Sequence, residues 1–252
     1  MKDRINKVKE SIVRIFVEGQ IAGSGFIVSR SGLIATCFHV VQKNEPAPNN
    51  QIRSIAYASD IQVGFSNGKM LAATVHTSCQ YQGYVEALAK DYCILQVISS
   101  NLAPLPLGSF TDAQEGDQIY LAGFPLGIAQ PVFAIGMLST KWSANGYLNQ
   151  GGPRDAAWLD ITMNVGNSGG PVLLLSEKPE TDKVIGIATF GLNPFAKPAE
   201  ELMGIVQGFP GNVAIMNVDF KKFGTLVGSA LRTTSLGVNG CISIDYLKAK
   251  LP

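Results

Sequence analysis

Short apolar runs, each closed by a cluster of turn formers, recur along this chain. Ser11 to Val17 is mostly β-branched or aromatic and reads as a strand. Glu18-Gly19-Gln20 turns it. Ile21 to Ser29 follows, with small residues at its start, and Arg30-Ser31-Gly32 turns again. Leu33 to Val41 is an apolar run with His39 near its end, where a turn begins. Further strands are expected at Ser54–Ala58, Ile61–Phe65, Leu71–His76 and in the apolar run after Asp91. After a Pro- and Gly-bearing crossing at Asn101–Asp117 come Gln118–Ala122, Pro131–Ser139, Ala157–Met163, Val172–Leu175, Val184–Phe190 and 240–244. Residues 42–53 and 142–154 read as loops. Helical spacing is confined to 2–12 (Ile5, Val8, Ile12), Pro198–Val206, Val218–Arg232 and Asp245–Leu251. Asn217 or Asp219 is placed to cap the third of these.

Composition sharpens the picture. The 252 residues are 46% hydrophobic and 15% charged, which excludes a disordered chain. With 27 glycines and 13 prolines, many turns and an all-β fold are expected, in two β-rich halves: 1–105 and 106–252. A net charge of +1 gives no electrostatic case for nucleic acid or an anionic membrane as partner. Cys37, Cys79, Cys93 and Cys241 lack CxxC spacing, so neither a zinc site nor a redox motif is expected, and they read as reduced core residues. Cys37, two residues before His39, packs in the core or near a site. The opening MKDRINKVKE leads into a stretch broken by Arg14, Glu18 and Gln20. It does not read as a signal peptide, and a cytoplasmic protein is expected.

Chemistry concentrates in Gly166-Asn167-Ser168-Gly169-Gly170-Pro171. A turn of small residues lets backbone N–H groups converge beside one hydroxyl, the arrangement an acyl-transfer enzyme needs for a developing oxyanion. A glycine-rich hairpin turn is the plain alternative. The pattern also fits the G-x-S-x-G elbow of α/β-hydrolases, whose histidine follows its serine. Here His39 and His76 both precede Ser168, so that order is excluded. The order Asp, His, Ser survives through Asp3 with His39, or through Asp3 or Asp60 with His76. The order His, Asp, Ser is supplied by His39, Asp91 and Ser168, with Asp60 as rival carboxylate. Imidazole would activate the hydroxyl, and a buried carboxylate would orient the imidazole. His76, among small residues, reads as an ordinary strand position.

Four blocks resemble the signatures of trypsin-like serine proteases. They are Gly23-Ser24-Gly25-Phe26-Ile27-Val28, the run to Phe38-His39-Val40-Val41, Asp91 to Val97, and Leu159 to Pro171. Gly123–Gly127 and Gly136-Met137-Leu138-Ser139 are similar to weaker blocks of the high-temperature-requirement (Deg) branch. The resemblance implies two packed six-stranded β-barrels with the catalytic groups between them. It implies Asp91 rather than Asp60 as the carboxylate, and an oxyanion hole around Gly166, Asn167 and Ser168 with the Gly166 and Ser168 amides as donors. It implies no metal or organic cofactor, and a protein or peptide as substrate.

The sequence also departs from that pattern. Asn167 stands where digestive relatives carry an aspartate that pairs with a freed N-terminus, so activation by N-terminal cleavage is not expected. The PDZ domain usual in the Deg branch is not expected within these residues. Residues 191–236 exceed the family's loop at that place, with helical spacing near 196–235. They read as a lid, a regulatory element, or a contact for an oligomer or activating partner; an extra covering helix is the plain alternative. At the base of the side-chain pocket stands Thr162 rather than an acid. With Met163, Val165, Ala188, Thr189 and Phe190 it suggests a neutral pocket for small or medium aliphatic residues.

Overall fold

The computed structural model describes residues 1–43, 55–145, 153–191, 196–208, 214–215, 218–233 and 238–252. Helix α1 (Lys2–Lys9) leads into β1 (Ile12–Val17), β2 (Gln20–Ile27) and β3 (Leu33–Thr36). After the helical turn α2 (Phe38–Val41) come β4 (Ile61–Phe65), β5 (Met70–Val75), helix α3 (Tyr84–Lys90) and β6 (Cys93–Val97). These six strands close a barrel in the order β1-β2-β3-β6-β5-β4. The second half holds β7 (Gln118–Gly123), β8 (Val132–Asn145), β9 (Pro153–Asp160), β10 (Pro171–Leu174) and β11 (Lys183–Gly191). Helix α4 (Ala196–Gly208), the short strands β12 (Ala214–Ile215) and β13 (Val218–Asp219) and helix α5 (Phe220–Thr233) intervene before β14 (Val238–Ser243) and α6 (Asp245–Lys248). The second barrel closes as β7-β8-β9-β14-β11-β10, the same winding as the first. All ladders within the two barrels are antiparallel, so short turns suffice for most connections. The expected pair of six-stranded barrels, with terminal helices and a helical insertion, is the observed architecture.

Alternation decides which side of each strand faces inward. Ile12, Ile15, Phe26, Ile34, Ile94 and Leu95 are fully buried in one cluster. That cluster does not stop at the first barrel: Tyr120, Phe124, Leu173 and Ile187 of the second belong to it, as do Ile244 and Leu247. A smaller cluster of Ile119, Leu138, Leu159, Val172, Ile185 and Cys241 fills the second barrel. All four cysteines are buried and unbridged.

Several expectations shift. The run Leu33–Val41 is not one strand: it breaks after Thr36, and His39 rides on α2. Ser54–Ala58 forms no strand over its described residues, where Tyr57 makes an isolated bridge to Gln42. The strand expected at Ala157–Met163 runs instead from Pro153 to Asp160. Ile161 and Met163 are buried by packing from a non-strand segment, which explains the displaced reading. The loop expected at 142–154 is partly strand, since β8 reaches Asn145 and β9 begins at Pro153; 146–152 lie outside the described residues, as do 44–53 of the first loop. Helix α5 starts where Asp219 Oδ1 accepts the Lys222 N–H at 3.0 Å, one of the two caps expected; Asn217 lies outside the described residues. Helices α4 and α5 pack on one another at Gly224 and Gly228. A β-carbon at Gly224 would sit 2.4 Å from Val206, and one at Gly228 2.4 Å from Met203.

Candidate active site

Asp91 terminates α3 in the left-handed region, at φ 36° and ψ 42°, which Asp tolerates better than most residues. This turns its side chain inward, where it is 5% exposed. Asp91 Oδ1 accepts the His39 backbone N–H at 3.0 Å, and Oδ2 accepts His39 Nδ1–H at 2.7 Å. The two bonds fix the ring orientation and its tautomer, leaving Nε2 as the free acceptor. The Thr189 hydroxyl donates to the same Oδ2. A buried carboxylate is costly unless hydrogen-bonded, and here three donors offset that cost.

The His39 side chain is about one-third exposed. Burial alone lowers the imidazole pKa, but the Asp91 charge and hydrogen bond outweigh it. The net shift is upward from the ordinary 6.5. Cys37 lies behind this pair. Its thiol donates to the Ala188 carbonyl at 3.2 Å. Burial first, then the Asp91 charge, hold it well above the ordinary thiol range, so it stands as neutral S–H.

The glycine turn sits against the first barrel. Ser24 N–H donates to the Ser168 carbonyl at 2.8 Å. Gly166 (φ 100°) and Gly169 (φ 86°) take conformations that a β-carbon disfavours; one at Gly169 would lie 2.2 Å from the Ser24 carbonyl. The Asn167, Gly169 and Gly170 amides are bonded to the Asn164, Ala188 and Asn167 carbonyls, whereas among the described residues no acceptor takes the Gly166 or Ser168 N–H. Two braces orient the peptides here. Leu126 N–H donates to the Val165 carbonyl at 2.7 Å, and a trans peptide then directs the Gly166 N–H the opposite way. Ser24 Oγ donates to the Gly166 carbonyl at 2.6 Å and accepts the Phe124 N–H at 2.8 Å. Among the described residues the Ser168 hydroxyl makes no hydrogen bond to His39.

Of the alternatives, Asp60 is exposed and bonded by Gln62, away from His39. His76 Nδ1 is paired with Ser78 at 2.8 Å. Of the candidate pocket residues, Met163 and Ala188 pack in the second barrel's core, and Thr189 serves Asp91. Val165 is exposed. Phe190 lies on β11 opposite Gly240. Thr162 lines a cavity of about 480 Å³ whose other walls include Gln118, Gly136, Met137 and the acidic Asp160. Sequence reasoning missed the roles of Ser24 and Leu126 and the bond from Thr189 to Asp91. It also missed α3, which positions Asp91; the Glu86–Lys90 pair at helical spacing, 2.7 Å apart here, was a usable signal.

Two barrels with a His–Asp pair and a Gly-bounded serine between them define a trypsin-like peptidase domain, and the family model of that description matches residues 23–187, well over half of the chain. This chain belongs to that family. Among its relatives, human serine protease HTRA3 is 28% identical over 236 residues, 92% of this chain and 45% of that protein. A probable periplasmic serine endoprotease DegP-like of Halomonas elongata is 31% identical over 175 residues, 68% of this chain and 29% of that one. The chain thus spans less than half the length of these two relatives. The HtrA-type protease AlgW, solved with a tripeptide, superposes with a TM-score of 0.64 at 17% identity, covering 98% of this chain and 61% of that one. The expected likeness to the Deg branch is therefore found.

Proposed function

We propose that this chain is a serine endopeptidase working through His39, Asp91 and Ser168. The observation that carries the reading is the doubly bonded His39–Asp91 pair facing a serine turn whose Gly166 and Ser168 amides have no acceptor among the described residues. Ser168 Oγ attacks the peptide carbonyl while His39 Nε2 takes its proton. The tetrahedral oxyanion is held by the Gly166 and Ser168 amides. His39 returns the proton to the leaving amine, giving an acyl-enzyme that water hydrolyses by the same route. Asp91 stabilises the imidazolium throughout. These steps use no metal and no organic cofactor.

The substrate is a protein or peptide, consistent with the tripeptide and decapeptide bound by the AlgW structures. Cleavage follows small or medium aliphatic residues, since Thr162, six residues before Ser168, is not an acid; Asp160, which lines the same cavity, stands eight before and is not at that position. Residues 191–236 serve an oligomer contact or an activating partner.

The missing Ser168–His39 bond favours one variant, in which the resting chain binds peptide and a partner completes the site. A fluorophosphonate probe tests both. Labelling of the isolated chain, lost in Ser168→Ala and His39→Ala, establishes the active enzyme. No labelling until a partner or peptide is added establishes the variant, and no labelling under either condition refutes both.

A further inference from the structure

Cys37 Sγ, a His39 ring nitrogen and an Asp91 carboxylate oxygen all lie within 4.8 Å of one another. None of the proposed catalytic steps uses Cys37, yet it is fully buried directly behind the His39–Asp91 pair. The three donors are a potential thiolate, an imidazole and a carboxylate, the set that borderline divalent ions such as Zn²⁺ prefer. Bond lengths of about 2.0–2.3 Å put the ligands of a tetrahedral ion roughly 3–4 Å apart. To reach that range the His39–Asp91 contact, now 2.7 Å, must open by roughly 0.5 Å, and separations of up to 4.8 Å must close by about 1 Å. The partly exposed His39 ring makes the shift by exchanging its Nδ1–H bond to Asp91 for the metal.

We infer that Cys37, His39 and Asp91 form an inhibitory site for a zinc-like divalent cation, which locks the enzyme by capturing its base. The inference rests on the base role proposed for His39. On binding, the metal displaces the Cys37 S–H proton to solvent and takes the thiolate, as coordination does to thiols. It occupies His39 Nδ1, so the proton formerly on Nδ1 moves to Nε2. An imidazole with hydrogen on Nε2 donates there and cannot accept the Ser168 proton. The ion's charge also compensates the two anions it gathers. Catalysis stops without any change at Ser168, and a chelator restores it.

The test uses the full chain with Zn²⁺ for inhibition and Co²⁺ for spectroscopy. Zn²⁺ is expected to abolish peptidase activity, and EDTA to return it. Cys37→Ala and the near-isosteric Cys37→Ser are expected to keep basal activity. Their Zn²⁺ inhibition should weaken by at least about 100-fold, the upper end of what losing even an outer-shell partner costs a metal site. Co²⁺ should give a near-ultraviolet thiolate charge-transfer band in the native chain that both variants lack. The chain has two histidines, so His76→Ala should behave as native. The inference is overturned if both Cys37 variants are inhibited as strongly as the native chain, or if native Co²⁺ binding shows no Cys37-dependent band. A Cys37-dependent band in a chain without peptidase activity, alone or with added partner or peptide, would keep the metal site and overturn the protease reading. Ser168-dependent activity indifferent to Zn²⁺ would do the reverse.

Discussion

Replacing Ser24 by alanine isolates the brace beneath the serine turn. The side chain is fully buried and joins the two barrels by accepting the Phe124 N–H at 2.8 Å and donating to the Gly166 carbonyl at 2.6 Å. Alanine removes both bonds and strands two buried main-chain groups. Each such group costs about 1–3 kcal/mol, so with partial relaxation the loss is about 2–4 kcal/mol. At ~2–4 °C per kcal/mol for a chain of this size, Tm falls by roughly 4–16 °C. Activity should suffer separately. The Gly166 peptides lose one of their braces, and losing an oxyanion donor outright costs about 100–1000-fold in kcat; imperfect aim should cost about 10–100-fold. Urea denaturation and steady-state hydrolysis of an aliphatic peptide, at a temperature where the variant is folded, read the two effects. KM should change little, because the oxyanion forms only in the transition state. Ser31→Ala, which loses a surface contact to Ser29, is the control and stays within about 0.5 kcal/mol. If Ser24→Ala matched that control in both stability and kcat, the claim that Ser24 holds the turn would be wrong.

Thr189→Val should lower kcat by roughly tenfold through Asp91, with KM nearly constant; an unchanged kcat would show that this hydroxyl does not serve the carboxylate. The acid limb of kcat/KM should lie above 6.5, because Asp91 raises the His39 pKa and the base must be neutral to act; Asp91→Asn should move that limb down. The same raised pKa stabilises the folded chain fully below about 6.5, the unfolded value, and this contribution is lost as pH rises through the folded one, as titrated unfolding of native and His39→Ala chains would show. Asp182→Ala should destabilise by about 3–5 kcal/mol in chemical denaturation, since it strands the buried Arg4 guanidinium, bonded at 2.8 Å. Deleting 196–235 should change oligomeric state or activity on gel filtration and peptide hydrolysis; indifference of both would leave that segment a structural cover.

The barrels were legible because alternation and turn residues are local signals. Strands such as β1 and β11 announce themselves through β-branched residues that pack on a pleated surface. Boundaries were less legible where burial continues past the ladder, as at Ile161 and Met163. The His39 and Ser168 blocks could be read because their chemistry is carried by neighbours in sequence. Asp91 needed the family resemblance to rise above Asp60, since nothing local records that a helix end would turn it inward. Thr189 and Ser24 were illegible in their roles for the same reason: their partners lie 98 and 142 residues away, and only the folded chain joins them.

Each barrel is finished by a segment from the far side of the other. Helix α1 precedes the first barrel, yet Arg4 is bonded to Asp182 and Ser176 of the second. Ile244 and Leu247 follow the second barrel, yet they complete the core cluster that fills the first. On the ribosome, the first half therefore emerges with its core open. It stays open until residues beyond β14 have been made. On the proposed mechanism the His39–Asp91 pair does nothing without its Ser168 turn, and neither half gains its full packing until both exist. The His39–Asp91 pair and the Ser168 turn therefore reach their final setting only after the segment that follows β14 has been made.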